Sequence, residues 1–406
     1  MIRVRVFAAV TMLALAGTAA AQTPQKKFMA APVTIEDQGS FFIGGVTKVT
    51  DFAAVPFAPP GQPAPAAVPQ QITIGQMYVQ FQIPQRKSGP GWPVIMVHGS
   101  THTGAALEST PDGREGWFPY FVRKGVATYV VDQSGRGRSG FDQSVLHEAE
   151  VRLAGGDSKA AADLIPNFGR ITDNGAWAAW FGHLLPQGSN VTTGKLVRHG
   201  DPADPEKPTD GRPHVAPLFP MDAVGEYYKQ LVPNAEVTLP GSTCPTCTPQ
   251  NLSPANTWTP QNLALLVERL GGAIVATHSQ SGIMGHHMVR ILKERGKVHL
   301  VKGLITIEGG CSLPNSGLTA ADFDAIPYLA LKGDYTATSA QCQQTVDEIN
   351  KRRAGKQGSA RADYMKLDEM GILGVTHMMM LDTNSNRIAD LMIEWVNKNV
   401  PKAPRR

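Results

Sequence analysis

Beyond its first residues, this chain of 406 residues has no apolar run near the roughly 20 residues that a membrane helix needs, so no further span and a soluble mature protein are expected. It also has little net charge. Its 38 Lys and Arg against 34 Asp and Glu give +4, too near neutral to imply a nucleic-acid partner. Cysteine is scarce, with four in all, and there is only one C-x-x-C, in "GSTCPTCTPQ". That loop is rich in Pro and Thr, with no strand before it, no helix after it and no second C-x-x-C, which argues against a metal or redox centre. Internal repeats are lacking too.

The first residues do carry a pattern. Arg3 and Arg5 precede an apolar stretch from Val6 to Ala16, then Ala19-Ala20-Ala21 before Gln22. This is the order of a secretory signal peptide, expected to be cut after Ala21, leaving 385 of the 406 residues in the periplasm or outside the cell. Loss of Arg3 and Arg5 would lower the formal charge from +4 to +2. An exported chain with an even number of cysteines favours disulfides, and the expected pairs are Cys244 with Cys247 and Cys311 with Cys342.

Between Ala31 and Pro84, "GSFFIGGV" and "TIGQMYVQFQIP" predict short strands, separated by a Pro/Ala-rich loop that cannot pair inside a sheet. Five later runs, "WPVIMVHG", "VATYVVDQ", "GGAIVATHS", "KGLITIEGG" and "IPYLALKGD", are short, apolar and β-branched, and most precede a helical pattern such as "QNLALLVERL". Strands apolar on both faces that alternate with helices predict an α/β fold with a mostly parallel central sheet flanked by helices. The alternation stops between about Phe141 and Trp258, where no strong strand is evident and helix is expected near "SKAAADLI" and "GAWAAWFGHLL". The chain therefore divides into a core, 22–140 and 259–406, and an inserted cap, 141–258.

"VATHSQSGIMG" joins a strand to a helix through small polar residues, as does the turn on which hydrolases mount a nucleophile. Its flanks depart from G-x-S-x-G, with Thr277 for the first glycine and Ser281 for the second. Ser279 has small neighbours two residues away on both sides, whereas Ser281 would have Ile283, so Ser279 is the expected nucleophile. A base is expected downstream, and His377 in "GVTHMMMLD" precedes the final amphipathic helix; His278, His286 and His287 are read as structural. Two carboxylates end strands in between, Glu308 and Asp334, and spacing alone leaves both open as the acid. Charge developing on a carbonyl oxygen requires preorganised amides. Those of Ser100, after His98-Gly99, and of Gln280 are the expected donors. Trp177, Trp180 and the methionines around Met378 hint at an apolar pocket. The literal G-x-G-x-x-G over 135–140 follows a strand but leads into the cap rather than a βαβ unit, so no dinucleotide, and no other cofactor, is expected.

The order "VHGSTHTG", "TPDGREGW", "VVDQSGRGRSG", "THSQSG", "ITIEGG" and "GVTHMMMLD" resembles the α/β-hydrolase superfamily, and within it a small group of secreted bacterial esterases. The likeness spans most of 93–400 except the middle of the cap. In that group the acid is a glutamate after the sixth strand, which by resemblance makes Ser279 the nucleophile, Glu308 the acid and His377 the base. Some members carry adjacent cysteines where this chain has Ser100-Thr101. The implied activity is serine-dependent hydrolysis of a small or medium carboxylic ester. Amide or carbon-carbon bond hydrolysis on the same fold, or a non-catalytic binding protein built on it, are the alternatives.

Overall fold

A computed structural model describes residues 28–29, 31–52, 68–166, 168–187, 190–198, 215–240, 252–336, 339–354 and 361–404, with backbone alone for 183–187 and 190–198. The expected signal peptide and the Cys244–Cys247 pair lie outside the described residues.

Ten strands are described: β1 (Ile35–Thr50), β2 (Gln70–Pro84), β3 (Val94–Val97), β4 (Thr128–Asp132), β5 (Gly182–Gln187), β6 (Asn190–Arg198), β7 (Ala273–His278), β8 (Val301–Ile307), β9 (Tyr328–Lys332) and β10 (Ala362–Lys366). Eight of them form one sheet in the order β1-β2-β4-β3-β7-β8-β9-β10. Only β2 runs against the rest; β4, β3, β7, β8, β9 and β10 pair in parallel. The five apolar runs are β3, β4, β7, β8 and β9. Side chains alternate across a strand, so each run supplies two cores. Ile95, Val97 and Val275 pack under the helices Trp258–Leu270 and Ser281–Glu294, while Met96, Ile274 and Ala276 pack under Trp117–Arg123 and Ser385–Asn399.

The sequence reading missed three features. β1, with 16 residues, is far longer than "GSFFIGGV" implies, and β2 extends "TIGQMYVQFQIP" only slightly, because the two form a long antiparallel ribbon in which register is set by pairing rather than by burial. β10 is a five-residue edge strand whose alternation is too brief to read. The inserted segment, where no strong strand was expected, contains the β5-β6 hairpin. Its signal, β-branched Val191, Thr192 and Thr193 after Gly188-Ser189, is that of a hairpin turn rather than of a buried strand. The helix expected over "GAWAAWFGHLL" accordingly stops at Trp180, whereas the one at "SKAAADLI" forms over Ser158–Leu164.

Cys311 and Cys342 are joined by a disulfide, as expected, with Cα atoms 4.8 Å apart. The bond ties the loop after Glu308 to the helix Ala340–Arg353.

The missing glycine at Thr277 has a structural counterpart. The helix Ser281–Glu294 crosses β7 with Gly285 over Thr277, and a Cβ on Gly285 would lie 2.9 Å from Thr277 Cγ2 and 3.1 Å from Leu304 Cδ1. The small residue that lets helix and strand approach has moved from the strand to the helix. Alanine at 285 gains about 1 kcal/mol of helix propensity but overpacks the contact by about 1–3 kcal/mol. Gly285→Ala is therefore expected to lower the melting temperature, and to lower it less in a Thr277→Ser background. Equal losses in both backgrounds would show that Thr277 is not what Gly285 accommodates.

Candidate active site

Among the described residues only three that are not glycine have a positive φ: Thr101 (58°), Ser279 (54°) and Glu308 (45°). Side chains disfavour this region, and such residues gather where the surrounding structure enforces them. All three lie at the C-terminal ends of neighbouring strands, after β3, β7 and β8.

Ser279 follows directly on β7. Its amide donates to Ile307 O at 2.9 Å, and Glu308 N donates to Leu331 O at 2.8 Å, so each turn is an extension of the sheet ladder beside it. The two turns touch backbone to backbone. A Cβ on Gly309 would lie 2.7 Å from Ser279 O, and one on Gly282 would lie 2.9 Å from both Gly309 Cα and Gly310 N. Gly309 and Gly282 thus permit the close approach of the two turns. Ser281 is fully buried. Its hydroxyl accepts from His278 N at 2.9 Å and has the carbonyls of His278 (2.9 Å) and Val97 (3.1 Å) within reach, so it is a pin for the turn.

Glu308 Oε2 lies 2.6 Å from His377 Nδ1. The carboxylate is fully enclosed and takes two further bonds, from Gly333 N to Oε1 (2.6 Å) and from Thr336 Oγ1 to Oε2 (2.5 Å). Lys332, itself buried, holds those same two residues, donating to Gly333 O (2.9 Å), Thr336 O (3.2 Å) and Asp368 (3.0 Å). Asp334, the other carboxylate the sequence left open, reaches the backbone instead of the imidazole. It accepts from Gly374 N and Val375 N, each at 2.7 Å, and so anchors the loop that carries His377. Burial raises its pKa, the two amides opposing. The far side of the loop is fixed by Asp382, which accepts from Thr376 N and Oγ1 at 2.8 Å and whose pKa burial pushes up to about 8. Arg114, from "TPDGREGW", grips the same turn through Leu381 O (2.8 Å) and Asp382 O (3.0 Å).

His278 has a larger part than a structural reading gave it. Its Nε2 contacts His377 O at 2.8 Å and the two rings lie 4.7 Å apart. Burial, then the neighbouring His377, holds its pKa far below the usual range, so it is a neutral imidazole that donates to the carbonyl. His286 and His287 lie buried on the helix behind.

The proposed oxyanion turn lies against Ser279: a Cβ on Gly99 would come 2.9 Å from Ser279 Cβ. This chain has no cysteine pair at Ser100-Thr101, and Tyr227 and Val232 supply a restraint. Val232 N donates to Thr101 O (2.8 Å), while His102 bridges Ser100 O (2.7 Å) and the Tyr227 hydroxyl (3.0 Å). Trp180 stacks on the His377 ring, centroids 5.8 Å apart, and also lies against His102. Trp177 and Met378, Met379 and Met380 are plain core. The 135–140 stretch forms a tight turn in which Asp132 binds Gly104 N (2.7 Å), Arg138 N (2.8 Å) and the Arg138 side chain. Trp180, read from the sequence as a hint of a pocket, lies beside His377, whereas His102, Arg136 and Lys332 were assigned no role by the sequence and are brought here by the fold alone.

No family model matches the chain. Among solved structures it is similar to a novel bacterial esterase, with 30% identity, coverage of 92% of this chain and 99% of that one, and a TM-score of 0.66. A probable secreted lipase, phiG, of a fungus (Fungal sp., strain ATCC 74256) is 25% identical over 368 residues, 79% of this chain and 86% of that protein. With the strand order, the turn after β7 and a relative matched along nearly its whole length, the chain belongs to the esterases of the α/β-hydrolase superfamily.

Proposed function

We propose that this protein hydrolyses carboxylic esters through an acyl-enzyme formed on Ser279, with His377 as base and Glu308 as acid. The observation that carries the reading is the 2.6 Å contact between Glu308 and His377 Nδ1, made by a carboxylate that is wholly shielded from solvent and held by two other donors. With Nδ1 donating to Glu308, the other ring nitrogen is left as the acceptor. His377 takes the Ser279 proton as Oγ attacks the carbonyl carbon, and the amides of Ser100 and Gln280 hold the oxyanion. The same imidazolium protonates the departing alcohol. Water, deprotonated by His377, then attacks the acyl carbon and releases the acid, restoring Ser279. Glu308 keeps its negative charge and stabilises the imidazolium throughout.

The similarity to a bacterial esterase and to a secreted lipase supports an ester as substrate and a place outside the cytoplasm. The signal-like N-terminus and the Cys311–Cys342 bond support the latter too. We read 141–258 as a cap, since Trp180 and Tyr227 from this segment form one wall beside His377 and His102.

Ser279→Ala is expected to remove nearly all hydrolysis of a p-nitrophenyl ester, by about four orders of magnitude or more. Ser281→Ala should instead cost about 1–3 kcal/mol of stability through its unpaired partners, with the rate per folded molecule within about tenfold of wild type. Equal rate losses would refute the choice of Ser279. Glu308→Gln should lower kcat by about three to four orders of magnitude without a matching fall in melting temperature. Asp334→Asn should lower the melting temperature, with a far smaller rate effect. A loss for Asp334→Asn about a hundredfold beyond that for Glu308→Gln, about 2.7 kcal/mol of transition-state stabilisation, would make Asp334 the acid.

A further inference from the structure

Arg136 lies in the glycine-rich turn after β4, is 2% exposed, and has no part in the triad. Its Nη1 donates to Gly99 O at 3.1 Å and its Nη2 to Gln280 Oε1 at 2.8 Å. These are the residue before one proposed oxyanion donor and the side chain of the other. We infer that Arg136 is a positioning residue for the oxyanion hole, clamping the Ser100 and Gln280 amides into one fixed geometry. The inference rests on the serine-esterase reading above.

The peptide joining Gly99 to Ser100 is planar and trans, so its C=O and N–H point in opposite directions. A donor locked on Gly99 O therefore sets where Ser100 N–H points. A second donor acts on the same oxygen. His98 Nε2 accepts from Gln133 N at 3.0 Å, which leaves the proton on Nδ1 to meet Gly99 O at 2.8 Å. The guanidinium charge also sits at the oxygen end of that peptide dipole, which favours negative charge at the N–H end. Through Gln280, the same side chain ties the oxyanion turn to the first residues after the nucleophile.

The arrangement is costly. Both hydrogen bonds run to neutral oxygens, Nε is buried with no partner among the described residues, and burial pulls the pKa down to about 10, with Glu236 opposing through space. The group still keeps its charge near neutral pH. A buried cation without a close ion pair is destabilising, which points to a role other than stability. Its own turn is held against the cap segment. Ala235 N donates to Gly135 O at 2.9 Å, and Gly135 at φ 76° leaves no room for a Cβ beside the Glu236 backbone.

The test compares full-length wild type, Arg136→Met and Arg136→Lys on a p-nitrophenyl ester, with active sites counted by the burst or by fluorophosphonate titration. Arg136→Met is expected to lower kcat per titrated site by about 10²-fold, the scale of a lost oxyanion donor, with KM changed by less than about threefold. The fluorophosphonate inactivation rate should fall in parallel, since phosphonylation builds charge on the same oxygen. Arg136→Lys, which keeps the charge but can grip only one oxygen, should lose about tenfold in kcat. It decides the matter if the Met variant does not fold. A kcat per site within about twofold of wild type in the lysine variant, or a loss carried wholly by KM, would overturn the inference. Ser279→Ala run alongside separates the two claims. Hydrolysis surviving in Ser279→Ala would sink the esterase mechanism itself, whereas an inert Ser279→Ala with fully active Arg136 variants would sink only the role of Arg136.

Discussion

The site depends on a backbone contact between two neighbouring turns. β7 and β8 run parallel in register, His278 opposite Ile307, and each ends in a residue forced to positive φ. Ser279 N is bonded to Ile307 O, and Gly309 lies so close to Ser279 O that no side chain fits between them. Ser279 and Glu308 are thereby placed by the sheet itself. Neither can shift without the other, and the strain at both is sustained by ladder hydrogen bonds that the rest of the sheet enforces.

The third residue, His377, comes from a loop, and loops need other means. Half-buried Asp334 and buried Asp382 take its amides and its Thr376 hydroxyl, and Arg114 and His278 take carbonyls from the same segment. Lys332 and Asp368 do likewise for the residues that cradle Glu308. Burying ionisable groups is weak evidence of stability, because desolvation offsets much of what their hydrogen bonds gain. Their common feature is that they fix backbone direction next to Glu308 or His377.

Much of this was legible in the sequence. Five β-branched runs gave the parallel strands because burial on both faces leaves a continuous apolar signature. The small flanks of Ser279 gave its turn, although Thr277 concealed how the packing is achieved; the compensating Gly285 lies eight residues away on the helix, where no strand motif looks. Glu308 and Asp334 could not be separated by spacing, since both end strands and differ only in which loop they face. Arg136 sat in a literal glycine pattern that is out of place for nucleotide binding and that suggested no other role for the arginine. The strands of the β1-β2 ribbon were expected but not the length of β1, and β10 and the β5-β6 hairpin escaped, because pairing rather than burial defines these parts.

The most direct measurement is covalent. Wild-type protein treated with an alkyl fluorophosphonate, digested and sequenced by mass spectrometry should carry the phosphonyl group on Ser279, one per molecule, with loss of hydrolysis in proportion to labelling. Label on Ser281 or on another residue, or full hydrolysis retained after stoichiometric exposure to the reagent, would contradict the account of Ser279 as the nucleophile.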